Sequence, residues 1–193
     1  MNKSIIKEKK MGTHVCPWWL AYTFDHRLRN WIHNPSKLYG NYVSPGMTAL
    51  DIGCGLGFNT LGLAQLVGPG GKVMALDVQP KMLEGVMRRA AKLGVEERVT
   101  PLLAEPDDLK INTRVHFALA FYMIHEVPDK SRFLDQVAAC LLPGGRFMMV
   151  EPPVHVTKKG FEKTVDLAQS SGLLLEEKYK IFFGRTAVFK KVR

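Results

Sequence analysis

The chain is 193 residues long and 46% apolar, with 27 Lys and Arg against 18 Asp and Glu for a net charge of +9. That length suits one domain with a sizeable core, and no linker, repeat or charge block marks a second. No apolar run reaches the ~18 residues of a membrane span, and Cys16, Cys54 and Cys140 have neither metal-like spacing nor the even count of a disulfide framework.

The positive charge is uneven. Residues 1–46 hold seven Lys and Arg against two Asp and Glu, and residues 152–193 hold nine against four, whereas residues 47–151 are near neutral with 11 against 12. Basic ends of this kind are read as solvated faces, with nucleic acid or another anionic partner as the alternative. The start of the chain lacks the apolar stretch and cleavage site of a signal peptide, so a cytoplasmic protein is expected.

Residues 1–12 carry four lysines and few apolar groups and are read as a mobile tail. The segment that follows is strongly aromatic, holding Trp18, Trp19, Tyr22, Phe24, Trp31, Tyr39 and Tyr42. Such a run either packs on the domain for stability or covers an apolar pocket; Trp18, Trp19 and Tyr22 are the rings expected to form a lid. Then comes an apolar strand ending in Asp51-Ile52, the turn Gly53-Cys54-Gly55-Leu56-Gly57, and a helix over Phe58–Val67 stopped by Gly68. A second strand runs from Lys72 into Asp77, and a helix starts at Pro80 and ends near Leu93-Gly94. The third strand, residues 99–104, contains Pro101, which is tolerable only at an edge or bulge. It leads into Glu105-Pro106-Asp107-Asp108. Next come a strand over Val115–Phe121, a helix over residues 129–141, a turn at Leu142-Pro143-Gly144-Gly145, and a fifth strand to Glu151. A helix centred on Phe161, Val165 and Ala168 follows. Two further runs, residues 173–183 and 185–192, flank Gly184 and read as an antiparallel hairpin. Strands alternating with helices imply right-handed crossovers and a mainly parallel sheet covered on both faces.

The glycine turn binds a nucleoside cofactor if it follows a strand and opens a helix, as it does here. A dinucleotide fingerprint wants its third glycine or alanine at position 58, which is Phe. The D-x-G-x-G-x-G pattern of residues 51–57 instead resembles motif I of the class I S-adenosylmethionine-dependent methyltransferases. Asp77, 20 residues past Gly57, and the Leu-Pro-Gly-Gly turn before the fifth strand agree with that family, and the likeness is greatest to its ubiquinone and menaquinone biosynthesis type. The resemblance implies a Rossmann-like, doubly wound, mainly parallel seven-stranded α/β sheet. Its last strand is inserted beside the fifth. With the aromatic segment as an N-terminal helical or aromatic lid, the chain reads as a single domain, residues 13–193, made of a lid and substrate segment (13–46), a cofactor core (47–151) and a closing helix and hairpin (152–193).

For the cofactor, S-adenosylmethionine, the resemblance implies contacts from Asp51, Gly53, Cys54, Gly55, Asp77, Val78, Glu105, Pro106, Ala120 and Phe121. Asp77 would accept from the ribose hydroxyls and Glu105 from the adenine amino group. Two positions depart from the family pattern: His116 stands where an acidic residue is usual near the start of the fourth strand, and Glu105 replaces the commoner Asp. His125 follows the fourth strand on the methyl-donor side and is the best acid/base candidate, with Glu126 to orient it; capping or packing is the plainer role. His14, His26, His33 and His155 are read as surface or packing residues, and no metal is expected. The expected reaction is in-line methyl transfer to a small molecule. RNA or protein acceptors are the alternative, although Ala120-Phe121-Tyr122-Met123 lacks the tetrad with which many family members hold a planar nitrogen. A cofactor-binding module without transfer is the other rival.

Overall fold

A computed structural model describes residues 33–192; Trp18, Trp19, Tyr22 and the 1–12 segment lie outside the described residues. Seven strands form one sheet: β1 (Thr48–Ile52), β2 (Lys72–Asp77), β3 (Val99–Leu103), β4 (Val115–Phe121), β5 (Leu141–Glu151), β6 (Leu173–Ile181) and β7 (Gly184–Lys191). Their order is β3-β2-β1-β4-β5-β7-β6. β1 to β5 pair in parallel, and β7 is antiparallel to both β5 and β6. The fold is thus the doubly wound, seven-stranded arrangement that the sequence implies, with Pro101 on the edge strand β3, where one row of N–H groups has no partner strand to serve. Among the described residues no helix is long and apolar enough to cross a membrane.

Helices α1 (Pro35–Tyr39), α2 (Phe58–Val67), α3 (Pro80–Lys92), α4 (Lys130–Cys140) and α5 (Lys158–Ser170) cover the sheet. Asp129 caps α4 by accepting the Arg132 N–H at 3.0 Å, and Thr157 caps α5 through Gly160 N–H at 3.1 Å. The sheet has a core on each face. Leu50, Phe147 and Phe189 pack with Leu134 of α4 and Phe161 of α5. Ala49, Phe117 and Val188 pack with Leu63 of α2 and Val86 of α3. This two-sided burial explains why the central strands read as nearly continuous apolar runs; a fully buried Phe or Leu contributes roughly 1.5–3 kcal/mol. Tyr39 belongs to the second core, its hydroxyl donating to Asn59 Oδ1 at 2.8 Å, so that ring stabilises the domain and does not face a pocket.

Two turns differ from their sequence reading. Residues 142–145 do not separate a helix from a strand; they bulge out within β5, whose Leu141 pairs with Val115 and whose Arg146 already pairs with Phe117. The closing hairpin turns at Phe182-Phe183, with Ile181 paired to Gly184, so Gly184 is a strand residue and Phe183 (φ 55°) takes the left-handed conformation. Tertiary contacts hold this turn: the Tyr122 hydroxyl donates to the Phe183 carbonyl at 2.8 Å, and His33 Nε2 meets the Phe182 carbonyl at 2.9 Å.

Gly57 precedes α2 with φ 84°, and a β-carbon there would stand 2.9 Å from Val86 Cγ2. A left-handed alanine costs about 1–3 kcal/mol, and overpacking adds roughly 1–3 kcal/mol. Gly57→Ala should therefore lower the urea midpoint by the equivalent of at least about 2 kcal/mol, with little change in the slope; an unchanged midpoint would mean that the α2–α3 contact is looser than it stands here.

Candidate functional site

Chain order reverses between β1 and β4, so the loops leaving their carboxyl ends diverge and open a crevice. The cleft there has a volume of about 380 Å³ and runs from Gly53, Gly55 and Asp77 past Val78, Glu105 and Pro106 to Tyr122, Met123, His125 and Glu126. Size and mixed lining are those of a small-ligand site.

Asp77 organises one end. Its Oδ2 accepts the Gly55 N–H at 3.0 Å and its Oδ1 the Gln79 N–H at 2.9 Å, while Gly53 and Cys54 donate to the Leu76 carbonyl at 2.8 and 3.0 Å. The glycine turn is thereby bound to the end of β2. Asp77 is 7% exposed; burial raises its carboxyl above the usual range, and the backbone N–H bonds pull it partly back. Gly55 has φ 52°, and a β-carbon there would meet nothing within 4 Å, so the backbone presents an open cradle to a ligand.

The other expected cofactor residues divide. Val78 and Pro106 line the cleft. Glu105 stands on the rim, exposed and ion-paired with Lys110. Asp51 is buried beneath the turn, where its Oδ2 accepts the Thr60 hydroxyl at 2.6 Å, bracing the turn against α2. Cys54 packs into the core on the α2 and α3 side. Ala120 and Phe121 are buried within β4 and do not line the cleft, whose wall is instead Tyr122 and Met123, the residues just past the strand. Trp18, Trp19 and Tyr22, the expected lid rings, lie outside the described residues.

At the opposite end Tyr122 takes φ 60°, its N–H donating to the Val150 carbonyl at 2.8 Å, and a short 3-10 turn, Ile124–Glu126, presents His125. The partner of His125 is Glu151, not the neighbouring Glu126: Nδ1 lies 2.9 Å from Glu151 Oε2, and the other oxygen accepts the Ile124 N–H at 3.1 Å. The bond to Glu151 raises the imidazole pKa, against the opposing effect of burial. His155 stacks on the same ring, 5.3 Å between centroids and 3° from parallel. Sequence spacing could not show this pairing across 26 residues, but topology could have: Phe121 pairs with Val150, so the residues that follow them are neighbours.

Two other histidines are structural. His33 is buried against Phe121, ring centroids 5.4 Å apart, and His116 Nδ1 accepts the Thr48 N–H at 3.1 Å near the opposite, amino end of the strands, far from the cleft. Among the described residues no cluster of three or more His, Cys, Asp or Glu is placed to hold a metal.

A family model described as a methyltransferase domain matches residues 43–182. Among curated proteins the chain is 34% identical over 105 residues to an arsenite methyltransferase of Halobacterium salinarum, covering 54% of this chain and 27% of that protein. It is 32% identical over 123 residues to a demethylmenaquinone methyltransferase of Lactococcus lactis, covering 61% and 48%. The chain thus spans between about a quarter and a half of the length of these relatives. Among solved structures, a SAM-dependent methyltransferase from Aquifex aeolicus superposes with a TM-score of 0.82 at 23% identity, over 92% of this chain and all of that one; this likeness is one of fold.

Asp77 is buried and held by two backbone donors, whereas Glu105 is exposed and already paired. Asp77→Ala should therefore weaken S-adenosylhomocysteine binding more than Glu105→Ala, by roughly 1.5–3 kcal/mol per lost hydrogen bond to a charged acceptor. Calorimetric titration that ranked the two the other way, with both variants folded, would reverse the ribose and adenine ends. The pH dependence has a definite sign. With its folded pKa raised above 3.8, Asp77 favours the free folded state most below that value, and the benefit is lost as pH rises through the folded pKa. Ligand binding needs the ionised acceptor and runs the opposite way: affinity should fall on acidification through that raised pKa, and this fall should be absent in Asp77→Asn.

Proposed function

The chain belongs to the S-adenosylmethionine-dependent methyltransferases, and from that premise we propose that it moves the sulfonium methyl group to a small-molecule acceptor by in-line displacement. The observation that carries the reading is the continuity of the cleft from the Asp77 carboxylate to the His125 imidazole. The residues present fit the cofactor: an open cradle at Gly55, a buried acceptor pair at Asp77 and apolar walls at Val78, Met82 and Met123. S-adenosylmethionine, when bound, supplies a methyl group already activated for displacement. Asp77 is then the acceptor for the ribose hydroxyls, and Glu105 and Pro106 flank the adenine. Met123 and His125 stand where the acceptor enters. Alignment of the reacting atoms in such a site is worth ~7–11 kcal/mol.

The two curated relatives bear different acceptors in their names, arsenite and demethylmenaquinone. The two cysteines among the described residues give no support to an arsenic acceptor. Burial pushes the Cys140 thiol up to about 11 and holds Cys54 well above its ordinary value, so neither is a thiolate near neutral pH, and neither lines the cleft. The second reading, an RNA or protein acceptor, draws on the basic ends of the chain. We place the reaction in the cytoplasm, and we assign Trp18, Trp19 and Tyr22 to a cover over the acceptor site.

Incubation with methyl-labelled S-adenosylmethionine and a cell extract, followed by separation of metabolites, RNA and protein, should put the label among the metabolites; label in RNA or protein would overturn the small-molecule assignment. Saturating S-adenosylhomocysteine, at ~100 times its dissociation constant, should stabilise the protein by about 2.7 kcal/mol in thermal melts, whereas NAD should not. Deleting residues 1–10 should leave turnover per folded molecule intact, and deleting residues 1–22 should abolish it. Full specific activity in the longer deletion would remove Trp18, Trp19 and Tyr22 from the site.

A further inference from the structure

His125 and Glu151 come from separate elements, the turn after β4 and the last residue of β5, and meet at 2.9 Å. Glu151 is 2% exposed. A carboxylate buried to that degree needs both oxygens engaged, and both are: one meets His125 Nδ1 and the other accepts the Ile124 N–H. The carboxylate therefore holds the histidine and also the backbone that carries it. Because a carboxylate only accepts, the neutral imidazole must bear its proton on Nδ1, which leaves the lone pair on Nε2. Among the described residues no hydrogen bond engages Nε2, and the ring lines the cleft.

We infer that Glu151 is the positioning residue that fixes His125 as a general base acting from Nε2, and that the acceptor is one that must surrender a proton, such as a phenolic or enolic hydroxyl or an N–H. The inference rests on the methyl-transfer reading above. In the step, the acceptor's proton passes to His125 Nε2. The electron pair so released forms the bond to the methyl carbon, directly or through conjugation, and the pair of the broken carbon–sulfur bond stays on sulfur in S-adenosylhomocysteine. The imidazolium, stabilised by Glu151, then returns its proton to water. A soft nucleophile that carries no proton would need none of this.

The groups around the imidazole act in opposing directions, and the bond to Glu151 prevails. Glu151 and Glu126 favour its charged form, and burial and Lys130 oppose it. The stacked His155 is the other ring packed directly against it, 5.3 Å between centroids. The base form exists above the raised pKa of His125, so transfer should rise as pH climbs through it.

The test needs no knowledge of the acceptor. The full chain, labelled with nitrogen-15 at histidine and saturated with S-adenosylhomocysteine, is read by long-range proton–nitrogen NMR, with His125→Gln assigning the signal. The expected wild-type ring is the Nδ1–H tautomer, titrating above the ordinary imidazole range. In Glu151→Gln, whose amide can donate to Nδ1, the ring should move toward the Nε2–H tautomer and its midpoint should fall. An Nε2–H tautomer in the wild type would overturn the proposal even if the variant failed to fold, as would a ring unchanged by Glu151→Gln. Calorimetry on the same wild-type sample separates the two levels: absence of S-adenosylhomocysteine binding would defeat the methyl-transfer reading and the base role with it, whatever the tautomer.

Discussion

The site depends on one carboxylate at the end of β2. Asp77 takes the Gly55 N–H on one oxygen and the Gln79 N–H on the other, so the turn after β1 and the loop after β2 are fixed to each other before any ligand arrives. Asp51 does the same from below: through the Thr60 hydroxyl it pins the end of β1 to the first turn of α2. At Asp77 burial of the carboxylate outweighs the backbone bonds, so the contact's contribution is not chiefly to the fold's stability. What the two carboxylates supply is a backbone held in an unusual conformation with its open side toward the cleft. A ligand entering such a site spends little of its binding energy on ordering the protein.

The second fixed group lies at the other end of the same cleft. Glu151 reaches back from β5 to His125 and to the Ile124 N–H, so the turn after β4 is anchored to the strand beside it. Two buried carboxylates, each engaged through both oxygens, thus fix the backbone and side chains at the two ends of a cleft whose intervening wall is apolar. In the proposed reaction the carbon–sulfur chemistry that the cofactor carries would lie between them, with the chain contributing alignment and a fixed acceptor for a proton.

Much of this was legible in the sequence, for reasons that can be stated residue by residue. The helix over Phe58–Val67 is bounded by Gly57 and Gly68, the strand over Val115–Phe121 is an apolar run that starts after Arg114, and both occur as read. Strand order rests on long-range pairing, which local pattern does not encode; it was supplied by the resemblance carried by residues 51–57. The hairpin shows the limit of turn chemistry. Gly184 was the expected turn residue, yet Phe182 and Phe183 turn instead, because His33 and Tyr122 hold their carbonyls. At the site, reading by neighbours gave Glu126 to His125, whereas adjacent parallel strands deliver Glu151. Likewise Ala120 and Phe121, the last residues of a strand, are consumed by the sheet, and the cleft is lined by the two that follow.

The central claim is that one cleft holds the cofactor with its ribose at Asp77 and its sulfur toward His125. A crystal structure of the complex with S-adenosylhomocysteine measures this directly. The account predicts ribose oxygens within hydrogen-bonding distance of the Asp77 carboxylate, adenine beside Glu105 and Pro106, and the sulfur facing the side of the cleft formed by Met123 and His125. Density for the ligand outside this cleft, or bound within it with the ribose turned away from Asp77, would contradict it.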